Sequence, residues 1–162
     1  MRIGLISDTH NDKERLQRAL VRLRSEDITT VLHAGDVTST ETLRLLRGFD
    51  AWIAQGNMDR EPLLSAVAHE LFGPTRFARL HDLIIGQSRI AMIHDSLSDK
   101  GRALLASQTY AYLVHGHTHR TRDEKVGPTR VINPGALGQL RWYQPSFAIL
   151  NLSTGDLRWV KP

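Results

Sequence analysis

Short apolar runs mark the predicted strands in the first half of the chain. Three of them stand out: Ile3 to Ile6, Thr30 to Leu32 and Ala51 to Ala54. Apart from Thr30 they contain no polar side chain and do not alternate with polar residues, which is typical of strands buried on both faces in a parallel sheet. We therefore predict three parallel strands before residue 55.

Between these runs, apolar residues recur at the spacing of a helix that buries one face. Residues 12–25 and 39–47 show this pattern. Thr38 and Glu41 have the spacing of a capping box and are predicted to start the second helix. Strands that alternate with helices in this way predict βαβ units.

From residue 80 onward the pattern changes to pairs of strands. Leu83 to Ile85 and Arg89 to Ile93 flank a glycine turn and predict a hairpin. A helix is predicted over residues 98–108, followed by a strand from Tyr112 to Val114. Two further strand pairs are predicted over residues 123–133 and 146–160. No linker or repeat interrupts the sequence, so we predict a single α/β domain that spans residues 1–162.

Composition narrows the class of protein. The chain has no cysteine, which excludes disulfides and thiolate ligands and fits a reducing compartment. The first apolar run is too short for a signal peptide or a membrane span. The net charge of +4 could suit nucleic acid, but the arginines are spread over predicted helix surfaces and form no basic block. We expect a soluble cytoplasmic protein with no membrane partner, and we do not expect nucleic acid as a partner.

Seven side chains able to bind metal follow directly after predicted strands. They are Asp8, His10, Asp36, Asn57, His94, His117 and His119. In open α/β sheets the carboxyl ends of the strands meet at one edge, so these side chains are expected on one rim. Aspartate oxygens can bridge two ions, imidazole suits several transition metals, and an asparagine carbonyl adds a donor without charge. Most of these motifs are weak alone, and Gly116-His117-Thr118-His119 is the stronger signal because its two imidazoles can reach neighbouring ions. The ordered set predicts a site for two divalent ions that acts on phosphate esters.

These motifs, from Asp8 to the turn Asn133-Pro134-Gly135, resemble those of the calcineurin-like metallophosphoesterases. The resemblance covers nearly the whole chain and is to the small single-domain branch with bacterial and archaeal phosphodiesterases. It implies an α/β fold, a four-layer αββα sandwich of two mixed β-sheets flanked by helices. Relatives of this size are often dimers or tetramers, so a homodimer or homotetramer is the corresponding expectation.

The resemblance also implies a role for each metal-binding residue. Asp8, His10 and His119 would bind the first ion. Asn57, His94 and His117 would bind the second, and Asp36 would bridge the two. Asp36, Asn57 and His94 are also assigned to catalysis. A water or hydroxide held by both ions would attack the phosphorus of a small phosphate ester, most simply a diester, in line with the leaving group. Manganese is the favoured metal, with nickel, iron, cobalt and zinc as alternatives.

Two positions depart from the family pattern. Met58 stands where histidine or cysteine commonly follows the asparagine, and a thioether can donate no proton to a leaving group. Asp95 stands where a glycine usually follows the histidine of the fourth motif, and its carboxylate would repel substrate or act as an eighth ligand. Arg60 and Arg141 are candidates for holding the phosphoryl group, with a surface role equally open for each.

Histidines and aromatic residues outside the seven have simpler interpretations. His33 and His115 precede motif glycines and could orient a ligand through a hydrogen bond, whereas His69 and His81 are expected to be surface or structural. The large aromatic residues are read as core or local packing and not as a platform for stacking bases: Trp52, Phe72, Phe77, Trp142 and Phe147.

Two other functions compete with this hypothesis. A protein-interaction scaffold with little catalysis, such as the retromer subunit of the same superfamily, would be favoured by the loss of metal ligands. None of the seven is lost here. A nuclease that acts on DNA would need extra segments or a continuous basic groove, for which a chain of 162 residues leaves little room.

Overall fold

Two mixed sheets are formed by the part of the chain that the computed structural model describes, residues 1–60, 62–138 and 144–162. In chain order the strands are β1 (Arg2–Ile6), β2 (Thr30–His33), β3 (Asp50–Ala54), β4 (Phe77–Ala78), β5 (Leu80–Ile85), β6 (Ser88–Ile93), β7 (Tyr112–Val114), β8 (Arg122–Val126), β9 (Thr129–Asn133), β10 (Phe147–Asn151) and β11 (Leu157–Val160). The first sheet has the order β11-β10-β1-β2-β3-β4, and the second has the order β5-β6-β7-β9-β8.

Both sheets combine a parallel centre with antiparallel flanks. In the first sheet, β1 to β4 pair in parallel, while β10 pairs antiparallel with β1 and with β11. In the second sheet, β7 pairs in parallel with β6 and β9, and the hairpin partners β5 and β8 are antiparallel. The carboxyl ends of β1, β2 and β3 in one sheet and of β6 and β7 in the other are therefore the ends at which loops can build a shared site.

Helices cover the outer face of each sheet. They are α1 (Lys13–Ser25), α2 (Thr40–Leu45), α3 (Leu63–Phe72) and α4 (Asp99–Ala106). The inner faces of the two sheets share one apolar core, in which Leu5 and Leu32 of the first sheet pack with Met92 of the second. The first three helices cover the first sheet, and Leu104 of α4 packs on the second. The predicted four-layer αββα sandwich is confirmed. Among the described residues, no helix is both long and apolar enough to cross a membrane.

The strand predictions agree with the structure to within a few residues, and three local features were not predicted. The helix α3 and the two-residue strand β4 were missed, because residues 61–79 mix apolar and polar positions without a clean helical or alternating period. The capping box of Thr38 and Glu41 is wrong. Ser39 is the N-cap of α2, and its side chain accepts a hydrogen bond from the backbone N–H of Thr42.

Candidate metal centre

All seven predicted ligands lie on the rim formed by the loops after five strands. Asp8 and His10 follow β1, Asp36 follows β2 and Asn57 follows β3, while His94 follows β6 and the last two histidines follow β7. Hydrogen bonds join these loops both within each sheet and across the two sheets. Within the sheets, the backbone N–H of Asp8 donates to Gly35 O at 2.9 Å, and that of Gly116 donates to His94 O at 3.0 Å. Across the sheets, the backbone N–H of His117 donates to Asp8 Oδ2 at 3.1 Å. The rim is therefore a connected backbone structure and not a set of independent loops.

One group of donor atoms combines Asp8, His10 and His119. Asp8 Oδ1 lies 3.3 Å from His119 Nε2 and 3.9 Å from His10 Nε2, and the two imidazole nitrogens are 3.3 Å apart. The other carboxylate oxygen of Asp8 is held by the Ser7 hydroxyl, which donates to Oδ2 at 2.5 Å. The backbone N–H of His117 also donates to this oxygen, at 3.1 Å. These bonds hold the carboxylate so that Oδ1 faces the two imidazoles.

A second group combines Asn57, His94 and His117. Asn57 Oδ1 lies 3.0 Å from His94 Nε2 and 3.1 Å from His117 Nδ1. His94 Nδ1 lies 2.7 Å from the carbonyl oxygen of Ala34, to which it donates its proton, so Nε2 carries only a lone pair in the neutral ring. Burial lowers the pKa of His94, but the carboxylates of Asp36 and Asp8 outweigh it and raise the pKa above its usual value. The negative charge of these carboxylates thus favours a cation at the position of the His94 ring.

Asp36 lies between the two groups. Its Oδ2 is 3.7 Å from His10 Nε2 and 3.5 Å from His94 Nε2, while its Oδ1 accepts a hydrogen bond from the backbone N–H of Met58 at 2.8 Å. Burial opposes ionisation of the carboxyl, but the His94 ring in its protonated form, through a hydrogen bond and its charge, and the Met58 N–H lower the pKa of Asp36 below the usual range. One carboxylate oxygen therefore faces a donor from each group.

The backbone at the site adopts a conformation that side-chain-bearing residues rarely use. Five of the seven candidate ligands have positive φ, with values of 51° at Asp8, 46° at His10, 58° at Asp36, 67° at His117 and 60° at His119. Each costs local strain, and such strain persists only where the surrounding structure enforces it. The hydrogen bonds between loops supply that constraint, and the strained conformations bring the side chains to one point.

Three glycines of the motifs allow the backbone of the loops to lie against the side chains of the candidate ligands. A Cβ at Gly116 would lie 1.8 Å from Ser7 Oγ and 2.6 Å from Asp8 Oδ2. A Cβ at Gly56 would lie 2.1 Å from Asp36 Oδ1, and one at Gly35 would lie 2.5 Å from His94 Nδ1. Each glycine thus leaves the space that a ligand carboxylate or imidazole occupies.

The donor set fits divalent metal ions. Carboxylate oxygens, an amide oxygen and the nitrogens of four imidazoles are the ligands that transition-metal ions of this class prefer. Within the described residues, the ligand atoms of Asp8, His10 and His119, and likewise those of Asp8, Asp36 and His94, lie within 4.8 Å of one another. Over residues 1–155 the chain matches the model of the calcineurin-like phosphoesterase superfamily domain.

The chain belongs to the calcineurin-like phosphoesterase superfamily. A phosphodiesterase of Methanocaldococcus jannaschii is 26% identical over 163 residues, which cover 99% of this chain and 98% of that protein. The solved structure of an archaeal phosphodiesterase superposes with a TM-score of 0.89 at 25% identity and covers 99% of both chains. Vps29 of Entamoeba histolytica, solved as a complex with Zn²⁺, superposes with a TM-score of 0.70 at 22% identity, covering 99% of this chain and 97% of that one. The likeness to Vps29 shows a shared fold alone.

Both departures from the superfamily pattern have visible structural consequences. The side chain of Met58 is half exposed, and the residue contributes its backbone N–H to Asp36. Asp95 Oδ1 accepts a hydrogen bond from the backbone N–H of Leu97 at 2.8 Å, so its carboxylate shapes its own loop. In the described residues, Asp95 belongs to neither of the close ligand groups, which gives no support to a role as an eighth ligand. Arg60 lines a cleft beside the centre, whereas Arg141 and Trp142 lie outside the described residues.

Asp59 is a residue of the candidate site that the sequence pattern did not reveal. Its buried carboxylate accepts hydrogen bonds from the backbone N–H groups of Asp36 at 3.0 Å, Thr38 at 2.8 Å and Gly56 at 2.8 Å. It therefore fastens the loop after β2 to the loop after β3, and it positions the backbone of two candidate ligands. Burial raises the pKa of Asp59 against the effect of these bonds. Its place two residues after Asn57 was the available signal, since a short side chain there can return to the backbone of the turn.

His33 and His115 lie behind the centre as buried neutral rings. His33 Nδ1 accepts from the backbone N–H of Gly35 at 3.3 Å, so its Nε2 carries the proton and donates to Thr9 Oγ1 at 2.8 Å. His115 Nδ1 donates to the carbonyl of Gly116 at 3.0 Å. Burial lowers the pKa of each ring to about 4. Both rings thus hold backbone next to the candidate ligands, while His81 is a buried structural histidine with Nε2 at 2.8 Å from the carbonyl of Ile53.

Proposed function

We propose that this chain is a dinuclear metal-dependent phosphoesterase and that its substrates are phosphodiesters. The observation that carries the proposal is the position of Asp36 Oδ2, which faces His10 Nε2 at 3.7 Å on one side and His94 Nε2 at 3.5 Å on the other. A carboxylate oxygen shared by two sets of nitrogen and oxygen donors is the arrangement that a pair of divalent ions requires. Membership of the superfamily supports hydrolysis of phosphate esters.

The proposed ligand sets follow the two groups of donors. Asp8, His10 and His119 would hold the first ion. Asn57, His94 and His117 would hold the second, and Asp36 would bridge the two. Two ions bring four positive charges, and the two aspartates cancel about half of them, which leaves a cationic centre for a phosphate group. Neutral imidazole and amide ligands therefore serve the proposed function, because additional carboxylates would weaken the attraction for the substrate.

In the proposed reaction, the protein orients the metal ligands and supplies their charge. When bound, the two ions would lower the pKa of a water towards neutrality and polarise the phosphoryl oxygens. The residues of the chain hold the geometry that this needs. Ala34 O fixes the His94 ring, the Ser7 hydroxyl and His117 N–H fix the Asp8 carboxylate, and Met58 N–H fixes Asp36. Because these groups are placed before the substrate binds, little reorganisation is needed during the reaction.

Diesters are preferred over monoesters in this proposal because the chain is similar over 99% of its length to proteins described as phosphodiesterases. Among these diesters, activated aryl esters are favoured over alkyl esters, because Met58 offers no proton to a poor leaving group. Manganese stays the proposed metal, with nickel, iron, cobalt and zinc as alternatives. The cytoplasmic location, the single domain and the homo-oligomer stay predictions.

The test is a metal titration combined with a panel of phosphate esters. Metal-free protein would be titrated with Mn²⁺ and the bound ions counted by elemental analysis, with the Asp36→Asn protein as control. We expect two ions per chain, and hydrolysis of aryl phosphodiesters that exceeds hydrolysis of matched monoesters and cyclic nucleotides. Binding of a single ion would contradict the dinuclear site. Binding of two ions without hydrolysis of any ester would favour a scaffold function of the kind considered from the sequence.

A further inference from the structure

A cleft of about 750 Å³ opens on the side of Asn57, His94 and His117 and runs away from the proposed metal centre. It extends between the start of α3, the strand β4 and the start of α4. Pockets of this size hold a small organic molecule, whereas a single phosphate group fills only a fraction of one. The cleft can therefore take a whole arm of a substrate whose phosphorus sits at the metal centre.

The lining of the cleft combines an apolar floor with cationic walls. Phe77 and Ile93 form apolar surface, and both are largely buried. Arg60, Arg79 and Lys100 contribute three positive charges. Such a surface suits an organic group that carries a negative charge at some distance from the scissile phosphate.

Two carboxylates also line the cleft, Asp59 and Asp95, but among the described residues neither forms an ion pair with Arg79 or Lys100. Asp59 turns both oxygens to backbone N–H groups, and Asp95 Oδ1 accepts from Leu97 N–H. In residues 1–60, 62–138 and 144–162, neither Arg79 nor Lys100 has a carboxylate oxygen within 4.0 Å. Their sequence neighbours differ. Arg76 pairs with Asp50 and Arg102 pairs with Asp99, each at 2.5 Å. The two cations that face the cleft are thus available to a ligand.

We propose that this cleft binds the departing arm of the substrate and selects phosphodiesters whose departing arm carries a second anionic group. Arg79 and Lys100 recognise that group, and the apolar floor accommodates the organic part between the two charges. The proposal rests on the proposed phosphodiesterase function, because it takes the phosphorus of the substrate to lie at the metal centre. Arg60 is anchored by its Nε, which donates to Asn57 O at 3.0 Å, and it therefore stands nearer to the scissile phosphate than to the second charge.

The test compares aryl methyl phosphates that differ only in the charge of the departing phenol. The departing phenol is 4-(phosphonomethyl)phenol in the first, 4-(carboxymethyl)phenol in the second and 4-ethylphenol in the third. The hydroxyl groups of these three phenols have closely matched pKa values, so the esters do not differ in leaving-group ability. The Mn²⁺-loaded protein should favour the phosphonate-bearing ester over the 4-ethylphenyl ester by about tenfold in kcat/KM, mostly through a lower KM. A larger preference is not expected, because exposed ion pairs are individually weak. The carboxylate ester shows whether a single negative charge is enough. The preference should shrink as salt is raised.

Variants assign the effect to the cleft. The double variant Arg79→Gln with Lys100→Gln should reduce the preference to about twofold or less. Arg102→Gln is the matched control, because it removes the same charge from α4 at a residue that pairs with Asp99 and does not line the cleft. It should keep the full preference. An equal preference in the double variant and the parent protein would overturn the proposal.

A binding measurement separates this proposal from the proposed function. Calorimetry would compare 4-(phosphonomethyl)phenol with 4-ethylphenol on the Mn²⁺-loaded parent, double variant and control. If the phosphonate binds about tenfold more weakly to the double variant than to the parent and the control, the anionic subsite is supported. If no ester is hydrolysed while this difference in binding is seen, only the proposed function fails. Hydrolysis of all three esters at equal kcat/KM, together with equal phosphonate binding in all three proteins, leaves the proposed function intact and rejects the subsite.

Discussion

At the scale of single residues, the charge of Asp36 matters more than its size. Asp36 Oδ1 is already occupied by the Met58 N–H, so only Oδ2 faces the imidazoles of His10 and His94. An asparagine in its place could still accept the Met58 hydrogen bond through its carbonyl oxygen. It would place a neutral amide group where the carboxylate oxygen now faces both donor groups. Asp36→Asn therefore separates the charge of the residue from its part in the loop structure.

We expect Asp36→Asn to lower turnover by several orders of magnitude while the protein stays folded. The physical reason is the loss of the anionic donor that both ions share in the proposed centre. The measurement is kcat for an aryl diester with saturating Mn²⁺, together with circular dichroism to monitor folding. Asp99→Asn, at an exposed carboxylate on α4, is the matched control and should leave turnover unchanged. A folded Asp36→Asn protein that keeps more than about a tenth of the turnover would rule out the bridging role.

Met58 provides a second test at a single position. It follows Asn57 directly, its side chain is half exposed, and a thioether cannot protonate a departing alkoxide. The rate should therefore depend steeply on the pKa of the leaving group, and Met58→His should make this dependence shallower by accelerating esters with poor leaving groups. A series of aryl and alkyl esters with graded leaving-group pKa, measured on both proteins with saturating metal, gives the two slopes. Equal slopes would show that position 58 takes no part in leaving-group departure.

At the scale of elements, Asp59 fastens the loop after β2 to the loop after β3. Three backbone N–H groups from these loops donate to one buried carboxylate. The same bonds explain why Thr38 is not the N-cap of α2. Its N–H is bonded to Asp59 and its φ is 71°, so the helix begins after Ser39. A contact 21 residues away in sequence thus overrides the local capping signal.

We expect Asp59→Ala to destabilise the metal-free protein by about 2 to 4 kcal/mol, because it leaves several buried N–H groups without an acceptor. Urea unfolding of the parent and variant measures this difference. Asp59→Asn should lie between them, since one amide oxygen replaces only part of the carboxylate's hydrogen bonding. Asp95→Ala is the control, because Asp95 accepts a single N–H on a less buried loop. If Asp59→Ala cost no more than Asp95→Ala, the fastening role would be wrong.

The elements that the sequence could predict are those with a clean period or a distinct turn. The strands β1 to β3, the hairpin of β5 and β6, and α1 carry such patterns, and their positions agree with the structure. The helix α3 does not, because Pro62 precedes it, no side chain caps its start and its apolar residues cover more than one face. The strand β4 has only two residues and takes its place from pairing with β3. Its existence depends on a tertiary contact that no local pattern can encode.

At the scale of the whole molecule, the site depends on the packing of the two sheets. Asp8, Asp36 and Asn57 come from the first sheet, and His94, His117 and His119 come from the second. Strand-end motifs were enough to predict that these residues meet, because carboxyl ends of parallel strands converge. The left-handed backbone at five of the ligands and the hydrogen bonds that hold Asp8 and His94 could not be predicted in the same way. They arise only when loops from both sheets are brought together, so the centre and the fold are expected to be lost together on denaturation.

The buried histidines behind the centre make the stability of the whole protein sensitive to acid. Burial lowers the pKa of His33 and His115 to about 4 in the folded protein, whereas an unfolded histidine has a pKa of about 6.5. The unfolded chain therefore binds more protons between these two values. The stability that the neutral rings contribute is fully present above pH 6.5 and is lost as the pH falls towards 4, by at most about 1.4 kcal/mol per pH unit for each ring.

We expect His33→Gln to make this loss of stability shallower by up to about 1.4 kcal/mol per pH unit, because one of the two titrating rings is gone. The measurement is urea unfolding of the metal-free parent and variant between pH 7 and pH 4.5. The pKa of His94 is raised, so its contribution to stability increases as the pH falls. This contribution is present in both proteins and therefore largely cancels when their stabilities are subtracted. His69→Gln, at an exposed position on α3, should leave the slope as it is in the parent. If His33→Gln also left the slope unchanged, His33 would not be a buried ring that is neutral in the folded protein.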